Sequence, residues 1–219
     1  MRFATIALST VSALAAMTVS AFAADLYVPV EEPYIPTAAV ESWSGAYVGV
    51  HVGYGWGEAV EDDDVAYTWE MDGFIAGAQA GYNYQMDGIV LGVEADIAWT
   101  GLEGPYLQDG ALDDEDYLAS VNWMSTFRLR AGVDLDGFLL YATAGLAAAE
   151  LYIDDFGDDS AEVHFGYAVG VGVEKMITEN ISVKAEYLYA NFGAEDHYDT
   201  DYPISLDVHT IKAGLNFHF

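Results

Sequence analysis

The sequence predicts an all-β chain: an eight-stranded antiparallel up-and-down transmembrane β-barrel, preceded by a cleaved signal peptide. Three observations predict it. From Ser44 onward the residues alternate, apolar on one face and glycine or small polar on the other. The alternation falls into eight segments, each near the roughly 9–11 residues that cross a bilayer at a tilt. Short turns alternate with longer, acidic connections along the chain.

The first element is not part of the barrel. Met1 to Ala23 carries one basic residue, Arg2, then an apolar run from Phe3 to Phe22 that ends in Ala21-Phe22-Ala23. A charged start, an apolar stretch and a small-x-small ending describe a secretory signal peptide, residues 1–23. Residues 24–43 follow as a periplasmic leader. Pro29, Pro33 and Pro36 resist both helix and central strand there. Residues 44–219 form the outer-membrane barrel domain.

The strands read in order. Val48, Val50, Val52, Tyr54 and Trp56 share one face, opposite Gly49, His51, Gly53 and Gly55. Phe74 to Tyr84, Ile89 to Trp99 and Trp123 to Val133 repeat the pattern, with Gln79 and Asn83, Glu94 and Asp96, and Arg128 and Arg130 on the opposite faces. Phe138 to Tyr152 is strand-like with its alternation blurred by alanines. Val163 to Val173, Ile181 to Tyr189 and Ile211 to Phe219 complete the set, opposed by His164 and Glu174, by Ser182, Lys184 and Glu186, and by Lys212, Asn216 and His218.

The turns Met86-Asp87-Gly88, Asp134 to Gly137 and Thr178-Glu179-Asn180 are short. The connections Gly57 to Asp72, Gly101 to Asp116, Asp154 to Ser160 and Gly193 to Ile204 are longer. A soluble sandwich or lipocalin-like barrel also alternates, but its polar face meets water. Here that face is mostly glycine and small polar residues, which suits a narrow lumen. Trp56, Trp99, Trp123 and Tyr189 fall toward the long-connection end. Tyr82, Tyr84, Phe138, Phe217 and Phe219 fall toward the short-turn end. These are the two aromatic girdles expected at bilayer interfaces.

Charge sorts by face. Alternation points Arg128, Arg130, Lys184 and Lys212 inward, together with Glu94, Asp96, Glu174 and Glu186. An unpaired buried charge is costly, so these eight residues predict an interior ion-pair network. Counting heights pairs Glu94 with Arg128 and Glu174 with Lys184 on neighbouring strands. It sets Glu186 about two residues from Lys212. An eight-stranded barrel is only wide enough for side chains to fill, so the network is read as filling and register, not as a wide pore.

The formal net charge is −30. Twenty-three of the 36 acids fall in the four long connections and their rims, with no Lys or Arg among them. Such a field attracts cations and excludes a nucleic-acid partner. No cofactor is expected. Asp62, Asp63 and Asp64, with Asp113, Asp114 and Asp116, are candidate ligands for Ca²⁺ or Mg²⁺, which favour oxygen donors. No run fits an EF-hand loop. The chain has no cysteine, hence no disulfide or thiolate site. Ser205, Asp207 and His209 share one face near the outer rim. Ser205 and His209 lie about 13 Å apart on a regular strand, too far for a nucleophile–base pair, and no enzyme is expected.

Several stretches resemble the alphaproteobacterial small outer-membrane β-barrel family, porin-like surface antigens with an OmpA-like eight-stranded barrel. They are Trp43 to Gly49 (WSGAYVG) with Gly53 to Gly57, Trp123 to Gly132 (WMSTFRLRAG), Leu140 to Ala147, Gly170 to Glu174, Val183 to Tyr189, and Thr210 to Phe219. The resemblance implies an abundant structural protein of the bacterial outer membrane that supports envelope integrity. It implies a C-terminal insertion signal, Phe217 and Phe219, read by the barrel-assembly machinery. Lipid and lipopolysaccharide are the partners expected, and the oligomeric state is left open. Two further roles stay in view: a narrow porin for small solutes, and a surface adhesin or receptor acting through the acidic loops.

Overall fold

A computed structural model of the chain describes residues 43–61, 67–108, 111–154, 160–196 and 203–219, with side chains given for most of them. The signal peptide and nearly all of the leader lie outside the described residues. Eight strands follow in order: β1 Gly45–Glu61, β2 Tyr67–Met86, β3 Ile89–Gln108, β4 Ala111–Asp134, β5 Phe138–Asp154, β6 Ser160–Met176, β7 Ile181–Asp196 and β8 Pro203–His218. Each pairs antiparallel with its sequence neighbours, and β8 pairs with β1 to close the barrel. Closure leaves no edge strand through the lower and middle barrel. The β6–β7 ladder runs from Met176–Ser182 up to Tyr167–Asn191, above which, among the described residues, those two strands pair only with β5 and β8.

The face assignment follows from the register. Val48, Val50 and Val52 point outward, as do Phe74, Leu129, Leu140, Phe165, Val171 and Leu215, all of them exposed. In a bilayer this surface meets acyl chains. His51, Gln79, Glu94, Arg128, Thr143, Glu174 and Lys212 turn inward and are buried. The alternation of β5 is regular after all. Leu139, Tyr141, Thr143 and Ala147 face in, while Leu140, Ala142, Ala144 and Leu146 face out.

The strands are longer than the sequence reading expects. They run from 16 residues in β7 and β8 to 24 in β4. Much of what reads as long connection is strand. The ladder continues past Trp56 to a Glu61–Tyr67 pair, and past Trp99 to a Gln108–Ala111 pair. The acid misleads the reading there. Above the girdle the outward face meets water, so Glu58, Glu70, Asp72 and Glu103 occupy strand positions that are apolar lower down.

Two irregularities lie at one height on β3 and β4. The register shifts between Trp99 and Leu102 and between Val121 and Trp123. The shift on β4 changes which of its residues face inward, from Arg128, Thr126 and Met124 below to Val121 and Ala119 above, while Leu102 on β3 keeps the face of Glu94 and Asp96. At the opposite end, the β2–β3 turn places Asp87 at φ 49° before Gly88 at φ 86°. Asp and Gly tolerate the left-handed region and suit a two-residue hairpin whose twist matches the strands.

Candidate functional site: a two-layered lumen

The structure brings together all eight inward charges named from sequence. Arg128 is the hub. One terminal nitrogen, Nη2, lies 2.7 Å from Glu94 Oε1 and 3.0 Å from Asp96 Oδ2. The other, Nη1, lies 2.8 Å from Glu186 Oε1 and donates to Thr143 Oγ1 at 3.0 Å. Lys212 Nζ sits 3.4 Å from Glu186 Oε1 and 3.6 Å from Asp96 Oδ1. Thr126 donates to Asp96.

Two details differ from the expected pairs. Glu174 and Lys184 are directly opposite in the β6–β7 ladder, but Lys184 does not bind Glu174. Its Nζ crosses the lumen to Glu94, at 2.9 Å and 3.0 Å from the two carboxylate oxygens, and lies 3.9 Å from Glu186. Glu174 instead pairs with Arg130 and also accepts from Ser182 and from Asn216, the last at 2.7 Å. The long lysine stem lets one ammonium serve two acids that Arg128 already draws together. Glu186 and Lys212 face each other directly, not two residues apart.

Sequence reasoning missed the tyrosines. Tyr47 donates to Glu94 Oε2 at 2.7 Å, and Tyr141 donates to Glu186 Oε2 at 3.0 Å. The Arg130 guanidinium lies 3.7 Å from the Tyr141 ring centre. The signal was available, since Tyr47 lies two residues before inward-facing Gly49. The layer thus holds four carboxylates against four cations, with hydroxyl and amide groups taking up further lone pairs. That is the condition under which buried charges persist.

Above the charges lies a second layer, three of whose residues, Trp69, Met71 and Leu102, fall in segments that read as long connections in the sequence. Trp69, Met71, Leu102, Val121, Leu151, Phe192, Leu206 and Val208 pack inward with several alanines into one apolar cluster. Trp69, Leu102, Leu151 and Phe192 are essentially inaccessible. At the boundary between the layers is a cavity of about 10 Å³ beside Thr210, Lys212 and Asp96. That is about the space of one water molecule.

The other named residues are placed as follows. Phe217 and Phe219 project outward, 46% and 73% exposed, with their rings edge to face at 5.2 Å. Asp62, Asp63 and Asp64 lie outside the described residues. Asp113, Asp114 and Asp116 are on β4, and their side chains are likewise outside the described set. Among the described residues, no three His, Asp or Glu side chains converge in a way that could hold a metal ion.

Ser205, Asp207 and His209 do share the outward face of β8, but each is engaged elsewhere. His209 Nδ1 bonds the Tyr187 hydroxyl at 2.7 Å, and its ring stacks on Trp56 at 5.6 Å. Asp207 accepts from Tyr189 and Asn191, both at 2.7 Å. Ser205 donates to the Val60 carbonyl at 3.4 Å. A Ser–His contact does lie inside, where Ser182 Oγ is 2.9 Å from His218 Nε2. Glu174 approaches that same Nε2 at 3.6 Å and takes the serine proton donor for itself. In a catalytic triad the acid holds the far ring nitrogen instead.

Comparison with known proteins places this geometry in context. A family model described as "Outer membrane protein beta-barrel domain" matches residues 7–219. The 25 kDa outer-membrane immunogenic protein of Brucella abortus biovar 1 (strain 9-941) is 33% identical over 217 residues, covering 95% of each chain. The 22 kDa outer membrane protein of Rhizobium leguminosarum bv. viciae is 32% identical over 196 residues, covering 84% of this chain and 82% of that one. Among solved structures, Neisserial surface protein A superposes with a TM-score of 0.52 at 18% identity, covering 80% of this chain and 98% of the other. That likeness is one of fold.

Proposed function

This chain belongs to the outer-membrane β-barrel domain family, and we propose that in the outer membrane it serves as a closed structural barrel, supporting the envelope and presenting an acidic outer surface, without acting as a diffusion pore. One observation carries the reading: the lumen is filled by an ionic layer and, above it, by an apolar layer. An ion crossing the barrel would have to displace a neutralised charge network and then shed its hydration among Leu102, Leu151, Phe192 and Leu206. Either step is unfavourable in a low-dielectric interior. Planar-bilayer recording tests it. The expected result is no reproducible conductance step from the reconstituted native chain. Steps that scale with salt and change in an Arg128→Ala variant would replace this reading with a narrow porin.

The outward apolar face takes membrane lipid as its partner. Phe217 and Phe219 suit recognition by the barrel-assembly machinery, because they stand exposed at the end of the last strand. The acidic rim above the girdle sits at the level of lipopolysaccharide headgroups. We read the protein as non-enzymatic, since the nucleophile–histidine sets described above are engaged as structural hydrogen bonds.

A second reading, a surface adhesin or receptor, rests on the register of the rim. Glu58 lies directly opposite both Glu70 and Asp207. Like charges in cross-strand register oppose folding, so the row is not there for stability. The Brucella relative is named for being immunogenic, which fits an outer end reached from outside the cell. Whole-cell binding assays with Glu58→Gln/Glu70→Gln cells separate this role. Binding that persists in the variant with the barrel assembled would remove it.

A further inference from the structure

The lower mouth of the barrel carries a feature that the closed-lumen reading does not use. Trp43 precedes β1 and belongs to no strand, yet it is wholly buried. It clusters with Val90 of β3, Leu139 and Tyr141 of β5 and Met176 of β6. Its ring meets His218 of β8 edge-on at 6.0 Å. These contacts come from strands spread around the barrel, so the indole lies across the opening and not along its wall.

The chain is built to reach that position. Gly45 has φ 137°, a conformation that L-residues with side chains rarely adopt, and a Cβ there would meet the Phe219 carbonyl oxygen at 2.9 Å. The kink turns the chain away from the strand line and under the lumen. A latch then holds it. The Trp43 amide donates to Gln85 Oε1 at 2.8 Å, and the Gln85 amide donates to Ser44 Oγ at 2.9 Å. Gln85 Nε2 donates in turn to Asp134 Oδ2 at 3.0 Å, which ties the latch to the β4–β5 turn on the far side. Above the indole lie Ser182, His218 and the Glu174–Arg130 pair, all buried.

We propose that Trp43 is a periplasmic lid, hinged at Gly45 and latched through Gln85, that keeps water and small solutes out of the ionic layer from below. The proposal rests on the closed-barrel reading and extends it to the short-turn end, which faces the periplasm in barrels of this kind. Opening the lid exposes the Ser182–His218–Glu174 cluster. It opens no route through the barrel, because the apolar layer above is independent of Trp43.

The chain has no cysteine of its own, so a Ser182→Cys variant carries a single reporter thiol. The refolded protein is treated with a small methanethiosulfonate reagent and labelling is followed by mass. With Trp43 in place the thiol is expected to label slowly. In Trp43→Ala/Ser182→Cys the rate is expected to rise at least about tenfold, since labelling tracks the open fraction. Trp43→Phe should restore protection. Should Trp43→Ala fail to give the heat-modifiable folded band, Gln85→Leu removes the two side-chain links of the latch, to the Trp43 N–H and to Asp134, while keeping the indole, and is expected to raise the rate in the same direction. Equal rates in the parent and in the folded lid or latch variant overturn the lid. A Leu206→Cys reporter in the upper layer tests the closed barrel separately. Its rapid labelling in otherwise native protein would refute the closed lumen, whatever the Ser182 thiol does.

Discussion

Lys184 on β7 holds Glu94 on β3 across the width of the lumen, with Nζ 2.9 Å from Oε1, although its neighbour in the ladder is Glu174. The two residues are 90 positions apart in sequence. Together with Arg128 on β4, this contact joins opposite walls of the barrel through one carboxylate. Removing that carboxylate leaves two cations with less than their due. Glu94→Ala is therefore expected to cost about 3–5 kcal/mol, the range for breaking a buried pair from one side. Urea unfolding of the barrel in detergent micelles reads the loss. A cost under about 1 kcal/mol would mean that the network contributes little to the fold.

Within that network a paired double substitution should cost less than the sum of the single losses. Glu94→Gln combined with Lys184→Met removes one charge of each sign and leaves Arg128 with Asp96 and Glu186. The double variant is expected to recover about 1–3 kcal/mol relative to additivity. Strict additivity would show that the lysine contributes through packing of its stem, not through its charge.

Phe192 tests the upper layer. Phe192→Ala opens a cavity among Leu102, Leu151 and Leu206 and is expected to cost about 3–5 kcal/mol. It should produce no conductance, because the ionic layer beneath is intact. Channel steps in this single variant would show that the apolar layer alone forms the seal.

Gly145 faces Arg128 across the β4–β5 pair. A Cβ at Gly145 would collide with the Phe127 carbonyl oxygen and with the Arg128 Cα. Gly145→Val therefore forces the backbone of β4 to move just where the arginine is aimed. The folded band on unheated gels is expected to be lost or strongly reduced, while Ala144→Val, on the lipid face one residue away, should fold normally.

Asp87 holds φ 49° in the β2–β3 turn. Asp87→Ala should destabilise by about 1–2 kcal/mol, the cost of placing an ordinary side chain in the left-handed region. Asp87→Gly and Asp87→Asn should be close to neutral. If all three behave alike in urea titration, the turn does not set the register of this hairpin.

Much of this architecture was legible from residue order. Period two needs only a count, so the inward Glu94, Arg128 and Lys212 and the outward Val50 and Leu129 follow directly. What was not legible depends on closure. Alternation tells which face Lys184 takes but not which acid it reaches, because distances across the lumen depend on how the sheet curls and staggers. The apolar layer was hidden for another reason. Glu58, Glu70 and Asp72 suggested loops, since a strand whose outer face meets water has a different composition from one whose outer face meets lipid. Trp43 was counted with the leader. Nothing in its sequence position reveals that Gly45 turns it back into the barrel.

The continuation of the ladder beyond the aromatic girdle bears on what the outer end of this protein presents. Glu58, Glu70, Glu103 and Asp207 are displayed by paired strands, so their spacing depends on the assembled wall. Antibodies raised against the native outer end should recognise a folded surface drawn from several strands, and should lose it when the protein is boiled. Substitutions at those outward acids can alter what is recognised while leaving the inward-facing partners that hold the wall together untouched. Surface variation and structural constraint therefore fall on alternate residues of the same strands.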